Sequence, residues 1–279
     1  LNKFSVIPGH FLLVTKDFKP QDSPLTPPDL TQAYLLIRAA RKLSKPVFAF
    51  YNCGKDSGAS QPHKHIQLLP TNEDGDEDEE EDEAEDTRRP PAEGYISRLK
   101  IEDDTKTFTL PLPYVHLVQK LDLPKTTISG TKPLSEKALE ELSQRLTDAF
   151  LKLLDEALQA LRLHASIEPS ESGSTTGRAA SPSYNVILTS EHMHLIPRRR
   201  ELTVDELHPV HSEETTTAEA DAAYTPQRLS VNALGFAGML LAKSDAEMRA
   251  VQSRGVVELL TQVGVPKVDV NDEVEGPLA

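Results

Sequence analysis

Tryptophan is absent from the 279-residue sequence, and Cys53 is its only cysteine. A single cysteine cannot form an internal disulfide, and it excludes zinc sites built from several thiolates. No apolar run approaches the roughly 18 residues of a transmembrane helix, and the first residues lack the charged and apolar segments of a signal peptide. These features indicate a reducing intracellular compartment, the cytoplasm or also the nucleus, and no membrane partner.

Negative charge is concentrated in one segment. The formal net charge is −14, and Glu73 to Asp86 holds twelve acidic residues and no basic one. That segment accounts for −12, so the remaining residues carry about −2 and could bind an anion. A block of like charges repels itself and stays solvated, which favours a disordered surface insertion over a binding tail for a basic partner. No basic stripe indicates binding to nucleic acid.

The composition and patterning predict an α+β chain in three parts. Residues 1–72 form a first half, residues 73–92 contain the acidic insertion, and residues 93–279 form a second half. The second half contains the strongest helical pattern, over residues 134–163, and a C-terminal helix over residues 245–263. Because the chain does not begin with Met, we also expect the first half to be N-terminally truncated.

Local signals mark where three helices begin. Thr26 precedes two prolines and can cap the first helix, and Ser135 can cap the long helix. Ser244 and Glu247 have the spacing of a capping box at the start of the C-terminal helix. The apolar pattern on this helix predicts that Met248, Val251, Leu259 and Leu260 point inward.

The sequence also contains a faint internal repeat. NKFSVIPGHFLLVTK, near the start, and YNVILTSEHMHLIPR, in the second half, share an Asn-led strand, a turn that ends in His, and a second strand. Each is followed, after a connection, by a strand and a turn of small residues. We therefore expect two copies of one α+β unit, with the reactive residues in the first copy only.

The stretch GKDSGASQPHKHIQLLP, residues 54–70, has the most chemically specific pattern in the chain. Side chains alternate along a strand, so His63, His65 and Gln67 should share one face. The loop before them contains glycines, which let a backbone approach a ligand closely, and its N–H groups could bind an anion. The pattern therefore predicts a site where a loop meets a strand.

The residues alone leave three interpretations of this site open. A neutral imidazole can act as a nucleophile toward phosphorus, with Gln67 donating to a phosphate oxygen. A metal site would need a third and a fourth ligand, and Cys53 is the only thiol nearby. The two histidines could also be packed or surface residues beside a turn. The glycine loop and the Gln favour the catalytic interpretation.

A second H-x-H pattern occurs at His192 and His194, followed by three arginines at residues 198–200. It has no glycine loop before it and no Gln two residues after it. We interpret it as the structural end of a strand in the second half and the arginines as a solvated strand terminus, with substrate or phosphate contacts as the alternative. Cys53 is interpreted as a small buried residue rather than a nucleophile.

The segment GASQPHKHIQLLP resembles the active-site strand of the histidine-triad superfamily, in the galactose-1-phosphate uridylyltransferase-like branch where Gln replaces the third histidine. Within that branch the chain is similar to the fungal-type diadenosine tetraphosphate phosphorylases, also called ATP adenylyltransferases. The resemblance covers four segments in the expected order: NKFSVIPGHFLLVTKDF, YNCGKDSGASQPHKHIQLLP, SYNVILTSEHM and VNALGFAGMLLAK.

This resemblance implies two histidine-triad-like halves, each an antiparallel sheet with flanking helices. It also implies a reversible nucleotidyl transfer in which diadenosine tetraphosphate and phosphate give ADP and ATP through an adenylyl-histidine, with ADP plus sulfate or phosphate as further substrates. A dinucleoside polyphosphate hydrolase and an inactive nucleotide-binding protein are the alternatives.

The resemblance also implies which residues form the site. His65 would be the nucleophile, His63 would orient the site and Gln67 would contact the phosphate. The implied nucleotide contacts are Asn52, Gly58, Ala59, Ser60, Gln61, Ser230, Val231, Asn232, Met239 and Lys243.

The expected ligands are small-molecule nucleotides and phosphate. We expect no tightly bound cofactor and no metal site in the protein, although a divalent cation such as Mg²⁺ could accompany the polyphosphate. The oligomeric state stays open, with a monomer favoured.

Overall fold

The computed structural model describes residues 7–71, 89–130, 132–167, 181–204 and 228–268. The described strands are β1 (Phe11–Val14), β2 (Val47–Cys53), β3 (His65–Pro70), β4 (Phe108–Thr109), β5 (Leu117–Lys120), β6 (Ser183–Leu188) and β7 (His192–Arg198). The described helices are α1 (Pro27–Lys42), α2 (Pro91–Ser97), α3 (Lys125–Ser129), α4 (Glu136–Ile167), α5 (Ala233–Phe236), α6 (Asp245–Arg254) and α7 (Val256–Val263). The acidic stretch of the predicted insertion lies outside the described residues.

All seven of these strands form one antiparallel sheet in the order β1-β3-β2-β6-β7-β5-β4. The central pair β2 and β6 joins the two halves, so backbone hydrogen bonds run continuously from one to the other. Helices flank the sheet, which confirms the predicted α+β class with an antiparallel sheet. The division into three parts stays a prediction.

The predicted alignment of the internal repeat is wrong. The order β1-β3-β2 in the first half is mirrored by β5-β7-β6 in the second. The counterpart of β1 is therefore β5, and YNVILTSEHMHLIPR, which supplies β6 and β7, corresponds to β2 and β3. A short pattern of strand, turn, His and strand occurs at several strand pairs, so it could not identify which pairs were equivalent.

Helix α1 begins where its sequence predicts. The Thr26 backbone N–H and hydroxyl both donate to Asp29 Oδ2, at 2.9 and 2.7 Å, and the prolines occupy the first turn. Leu30, Tyr34 and Ile37 recur at helical spacing and are buried against the sheet.

Helix α4 lies across the same face of the sheet as α1. The Ala138 N–H donates to the Ser135 hydroxyl at 3.2 Å, so Ser135 caps the helix as predicted, and the helix extends past residue 163 to Ile167. Leu146, Phe150 and Leu153 are almost fully buried, and each such side chain contributes roughly 1.5–3 kcal/mol. No helix among the described residues is both long and apolar enough to cross a membrane.

The other face of the sheet carries α5, α6 and α7. The predicted single helix over residues 245–263 is two helices, because Gly255 has a φ of +88° and ends α6. Of the residues predicted to point inward, Val251, Leu259 and Leu260 are buried, whereas Met248 is 43% exposed, so its predicted inward orientation is wrong. Residues of α7 pack with Phe48, Phe50 and Ile196 of the sheet.

Candidate active site

His65 and Gln67 lie on the face of the sheet opposite α1. Lys64, just before them, and Ile66, between them, point to the other face. Lys64 Nζ is buried and lies 2.7 Å from Asp29 Oδ2 at the start of α1, and Ile66 belongs to the core beneath that helix. The predicted alternation is therefore present from Lys64 to Gln67, and it leaves His65 and Gln67 on the face that carries the loop and the second-half segment. His63, which was predicted to share that face, precedes β3 and forms an isolated bridge with Pro20.

The ring of His65 is buried and held by one nitrogen. Nδ1 lies 2.9 Å from the carbonyl oxygen of His63. A carbonyl can only accept a hydrogen bond, so Nδ1 carries the proton and Nε2 has the lone pair. Nε2 is buried and has no hydrogen-bond partner among the described residues. The lone pair on Nε2 is therefore available to a ligand.

Burial is the main cause that lowers the pKa of His65. The nearby His63 ring lowers it further, while the hydrogen bond to the His63 carbonyl opposes the shift. The imidazole is therefore neutral at neutral pH. A neutral imidazole with a free Nε2 lone pair is the form that can attack phosphorus.

His63 acts on His65 through its backbone. Its own ring Nε2 lies 2.9 Å from Thr15 Oγ1 and its ring is 5.5 Å from that of Phe18. The two histidine rings therefore have different partners and do not converge on one ion. Across the described ranges, no group of three or more His, Cys, Asp or Glu side chains is placed to hold a metal ion.

Gln21 is a site residue that the sequence did not indicate. Its Oε1 accepts the backbone N–H of His65 at 2.8 Å, and its Nε2 donates to the carbonyls of Asn52 and His65, at 2.7 and 3.4 Å. The side chain thus continues the ladder between β2 and β3 where the direct strand pairing stops. No local pattern marks Gln21, because its partners are 31 and 44 residues away.

Asn52 is fully buried beside this bridge. Its Oδ1 accepts from Asn185 Nδ2 at 2.8 Å and from the backbone N–H of Ala233 at 3.0 Å, which ties β2 to the second half. Its Nδ2 is buried with no partner among the described residues. Asn52 therefore presents an unpaired buried donor, Nδ2, and His65 presents an unpaired buried acceptor, Nε2. Gln21 links the backbones of these two residues.

The glycine loop packs directly on the second half. Gly58 has a φ of +76°, and a Cβ built there would lie 2.5 Å from the carbonyl oxygen of Val231 and 2.9 Å from Cβ of Asn232. Only glycine permits both this conformation and this approach. The structure thus brings together two groups of predicted nucleotide contacts, Gly58 and the 231–232 pair, which lie far apart in the sequence.

Arg198 holds this junction from beneath, and the expectation that it is solvated is wrong. It is 2% exposed, and its guanidinium stacks 5.1 Å from the Phe236 ring. The guanidinium donates to the oxygens of Ser57 (3.3 Å), Asn185 Oδ1 (2.6 Å), Val231 (2.9 Å), Arg200 (2.8 Å), Glu201 (3.4 Å) and Val263 (3.2 Å). Burial lowers the pKa of Arg198 to about 9, so it stays charged at neutral pH.

The remaining predicted contacts lie around this junction. Ala59 is half-buried, and Ser60, Gln61 and Lys243 are exposed. The exposed Ser230 hydroxyl donates to Glu201 Oε1 at 2.7 Å, and Met239 packs at the edge of the core formed with Phe48 and Phe50. The structure shows where these residues lie, and their contacts with a nucleotide stay predictions.

Cys53 is 1% exposed, and burial raises the pKa of its thiol to about 11. A thiol of this kind is protonated at neutral pH and a poor nucleophile. This agrees with its interpretation as a small buried residue.

The second histidine pair is satisfied within the protein. His192 Nδ1 lies 2.7 Å from Glu93 Oε2, and His194 Nε2 lies 3.2 Å from Glu93 Oε1. Thr189 donates to the same carboxylate at 2.6 Å. Burial alone would raise the pKa of Glu93, but the hydrogen bonds from the two histidines outweigh it and hold the pKa well below its usual range. Both rings therefore have partners within the protein, and their contacts with Glu93 join α2 to the sheet, which agrees with the structural interpretation.

A buried histidine with one oriented and one unpaired nitrogen, next to a glycine loop on a doubled antiparallel α+β sheet, is the arrangement expected of the histidine-triad-like class of proteins that the sequence resembles. The family model described as "ATP adenylyltransferase C-terminal domain" matches residues 110–266, and "Ap4A phosphorylase N-terminal domain" matches residues 1–80. The first match alone covers more than half of the chain. The chain therefore belongs to the ATP adenylyltransferase (Ap4A phosphorylase) family.

Individual relatives agree with this assignment. Diadenosine 5',5'''-P1,P4-tetraphosphate phosphorylase 2 of Saccharomyces cerevisiae is 28% identical over 249 residues, which cover 87% of this chain and 61% of that protein. Protein APA1 of the same organism is 27% identical over 95% of this chain and 68% of its own length. The structure of yeast Ap4A phosphorylase Apa2 in complex with AMP has the same fold, with a TM-score of 0.65 at 24% identity over 97% of this chain and 73% of that one.

Proposed function

We propose that this chain carries out nucleotidyl transfer from diadenosine tetraphosphate (Ap4A) to phosphate, giving ADP and ATP. The activity is a proposal because the chain spans only 61% and 68% of the lengths of the two yeast proteins. Its support is the family membership together with the geometry at His65. The observation that carries it is the Nε2 of His65, which is buried and without a partner among the described residues, while Nδ1 is held 2.9 Å from the His63 carbonyl.

The first half-reaction forms a phosphorus–nitrogen bond. The Nε2 lone pair of His65 attacks the α-phosphorus of Ap4A, the bond from that phosphorus to the bridging oxygen breaks, and ATP leaves. Nδ1 keeps its proton, which is donated in a hydrogen bond to the His63 carbonyl, so the adenylylated ring carries a positive charge that this carbonyl stabilises. No separate base is needed, because the attacking nitrogen has no proton to lose.

The second half-reaction regenerates the histidine. An oxygen of inorganic phosphate attacks the same phosphorus, the phosphorus–nitrogen bond breaks, and ADP leaves. His63 would act through its carbonyl, and Gln67 would donate to the phosphate oxygens in both steps. Placing the acceptor phosphate where water would otherwise attack is what distinguishes transfer from hydrolysis.

The nucleotide would lie against the junction of the two halves. The free Nδ2 of Asn52 is a donor for the sugar or the α-phosphate, and the Gly58 loop with residues 231–232 forms the adjoining wall. Lys243 would supply a point charge for the outer phosphates, and a divalent cation such as Mg²⁺ would enter with the polyphosphate.

Product analysis tests the proposal. The protein is incubated with labelled Ap4A, with and without phosphate, and the nucleotides are separated. Phosphate-dependent ADP plus ATP is the expected result. AMP formed without phosphate would instead show a hydrolase, and binding of Ap4A with no turnover would show an inactive nucleotide-binding protein.

The nucleophile is identified separately. Without phosphate, labelled Ap4A should leave an acid-labile, alkali-stable adenylyl group on the protein. The adduct should be lost in His65→Ala and retained in His192→Gln, which changes a buried histidine of the equivalent strand in the second half. An adduct that survives His65→Ala would refute the assignment.

Cytoplasmic location and a monomeric state stay predictions.

A further inference from the structure

The two halves of the sheet repeat each other in register. Phe11 pairs with Leu68 and Leu12 with Gln67 in the first half. Leu117 pairs with Leu195 and Val118 with His194 in the second half. On the inner side, Gln67 pairs with Phe50, and His194 with Ile187. Phe50 and Ile187 also pair with each other across the centre of the sheet.

These three sets of pairings define one pseudo-twofold relation. They make His194 the counterpart of Gln67 and His192 the counterpart of His65. The residue that precedes β1, His10, becomes the counterpart of His116, which precedes β5.

In the second half, the histidine that precedes the outer strand contacts the counterpart of Gln67. His116 Nε2 lies 3.0 Å from His194 Nδ1, and both rings are fully buried. The two residues are diagonal neighbours on adjacent strands, since the partner of Leu117 is Leu195. Diagonal neighbours on one face are close enough for long side chains to touch.

His10 stands in the same diagonal relation to Gln67. It is 4% exposed, its ring is 6.3 Å from that of Phe50, and Phe50 is the direct strand partner of Gln67. This diagonal position puts the Gln67 side chain within reach of the His10 ring, and both Gln67 and the nearby His65 affect the pKa of His10. His10 therefore lies behind Gln67, on the face that holds the reactive nitrogen.

We propose that His10 is a positioning residue for the transfer: its ring N–H donates to Oε1 of Gln67 and so directs the Gln67 NH₂ toward the phosphate on His65. This rests on the proposed function. An amide has one end that donates and one that accepts. If the Gln67 amide were rotated by 180°, its oxygen would face the phosphate oxygens and repel them.

The surroundings of His10 suit this role. Burial lowers its pKa, and the nearby His65 lowers it further, while the bond to Gln67 opposes the shift. The ring is therefore neutral at neutral pH and adds no charge of its own beside the reacting phosphate. A neutral ring still has one N–H, which is all that orienting the amide requires.

A double-mutant cycle tests the proposal through the rate of adenylyl-enzyme formation from Ap4A without phosphate. The variants are Gln67→Ala, His10→Leu, His10→Asn and His10→Leu/Gln67→Ala. Leu and Asn have nearly the same shape, but only Asn keeps an N–H donor. His116→Leu is the matched control, because it removes the equivalent buried histidine from the second half.

Gln67→Ala should slow adduct formation by about 100-fold, as expected for loss of one oriented donor. His10→Leu should slow it by about 10-fold or more, the range found when the outer partner of an active-site ligand is removed. The double variant should be no slower than Gln67→Ala, because the role of His10 passes through that amide. His10→Asn should recover most of the rate, and His116→Leu should lower thermal stability while leaving the rate unchanged.

Three results would overturn the role of His10. These are an equal slowing by His10→Leu with and without Gln67, equal rates in His10→Asn and His10→Leu, or an equal slowing by His116→Leu. If the unmodified protein binds Ap4A but forms no adduct, the proposed function fails, and the role of His10 fails with it. If the unmodified protein forms the adduct, any of the three results removes the role of His10 alone.

Discussion

Replacing Gly58 by Ala tests whether the glycine loop and residues 231–232 form one wall of the nucleotide site. The added Cβ would lie 2.5 Å from the Val231 carbonyl oxygen, about 0.9 Å short of ordinary contact at 3.4 Å. The obstacle is backbone that Arg198 holds in place from the other side, so it cannot move aside cheaply.

Gly255→Ala provides a matched control for the backbone strain. Gly255 has a φ of +88°, similar to the +76° of Gly58, but nothing lies within 4 Å of its added Cβ. Each substitution should cost about 1–3 kcal/mol through its positive φ. Gly58→Ala should cost about 1–3 kcal/mol more because it overpacks the junction.

The functional effect should separate the two variants further. If the loop moves outward by most of the 0.9 Å shortfall, the α-phosphate is misplaced by a similar amount. A displacement of about 1 Å can reduce a rate by roughly 100-fold. We therefore expect adduct formation to slow about 100-fold in Gly58→Ala and to stay unchanged in Gly255→Ala.

The assay combines denaturant unfolding, AMP titration by calorimetry and the rate of adduct formation. If both variants lose the same free energy of unfolding and keep normal AMP affinity and rate, the close approach at Gly58 has no functional importance. If Gly255→Ala impairs the rate as much as Gly58→Ala, the loss is due to general destabilisation, and the reasoning fails.

Three further predictions concern buried groups. Because the pKa of His65 lies below its ordinary value of 6.5, the acid-side decline in the rate of adduct formation should have its midpoint below pH 6.5. A midpoint above pH 6.5 would contradict this. Arg198→Met leaves six oxygens without their donor. It should lower the free energy of unfolding, measured with urea, by more than about 4 kcal/mol. A loss under about 1 kcal/mol would exclude a role of Arg198 in holding the two halves together. The Glu93 carboxylate stabilises the fold above its unfolded pKa of about 4.5, and this stability is lost at lower pH. The midpoint of thermal unfolding should therefore depend less steeply on pH below 4.5 in Glu93→Gln than in the unmodified protein. Equal slopes would count against this contribution.

The sequence by itself determined the features that depend on neighbours in the chain. Thr26 and Ser135 start helices because capping bonds reach only two or three residues along the backbone. The separation of Lys64 from His65 onto opposite faces follows from the two-residue period of a strand. The hydrogen bond that His65 Nδ1 donates to the His63 carbonyl spans two residues, so the motif itself contained the orientation of the His65 ring.

Only the tertiary structure decided which distant segments meet. Glu93 lies 99 residues from His192, and nothing near either residue indicates that a carboxylate would satisfy that histidine pair. Three consecutive arginines predict a solvated strand end, yet Arg198 is buried where the two halves of the sheet meet. The glycine loop likewise meets the second half only because β2 pairs with β6 and brings Gly58 against Val231. Contacts of this kind depend on strand order and register, which short patterns in the sequence do not encode.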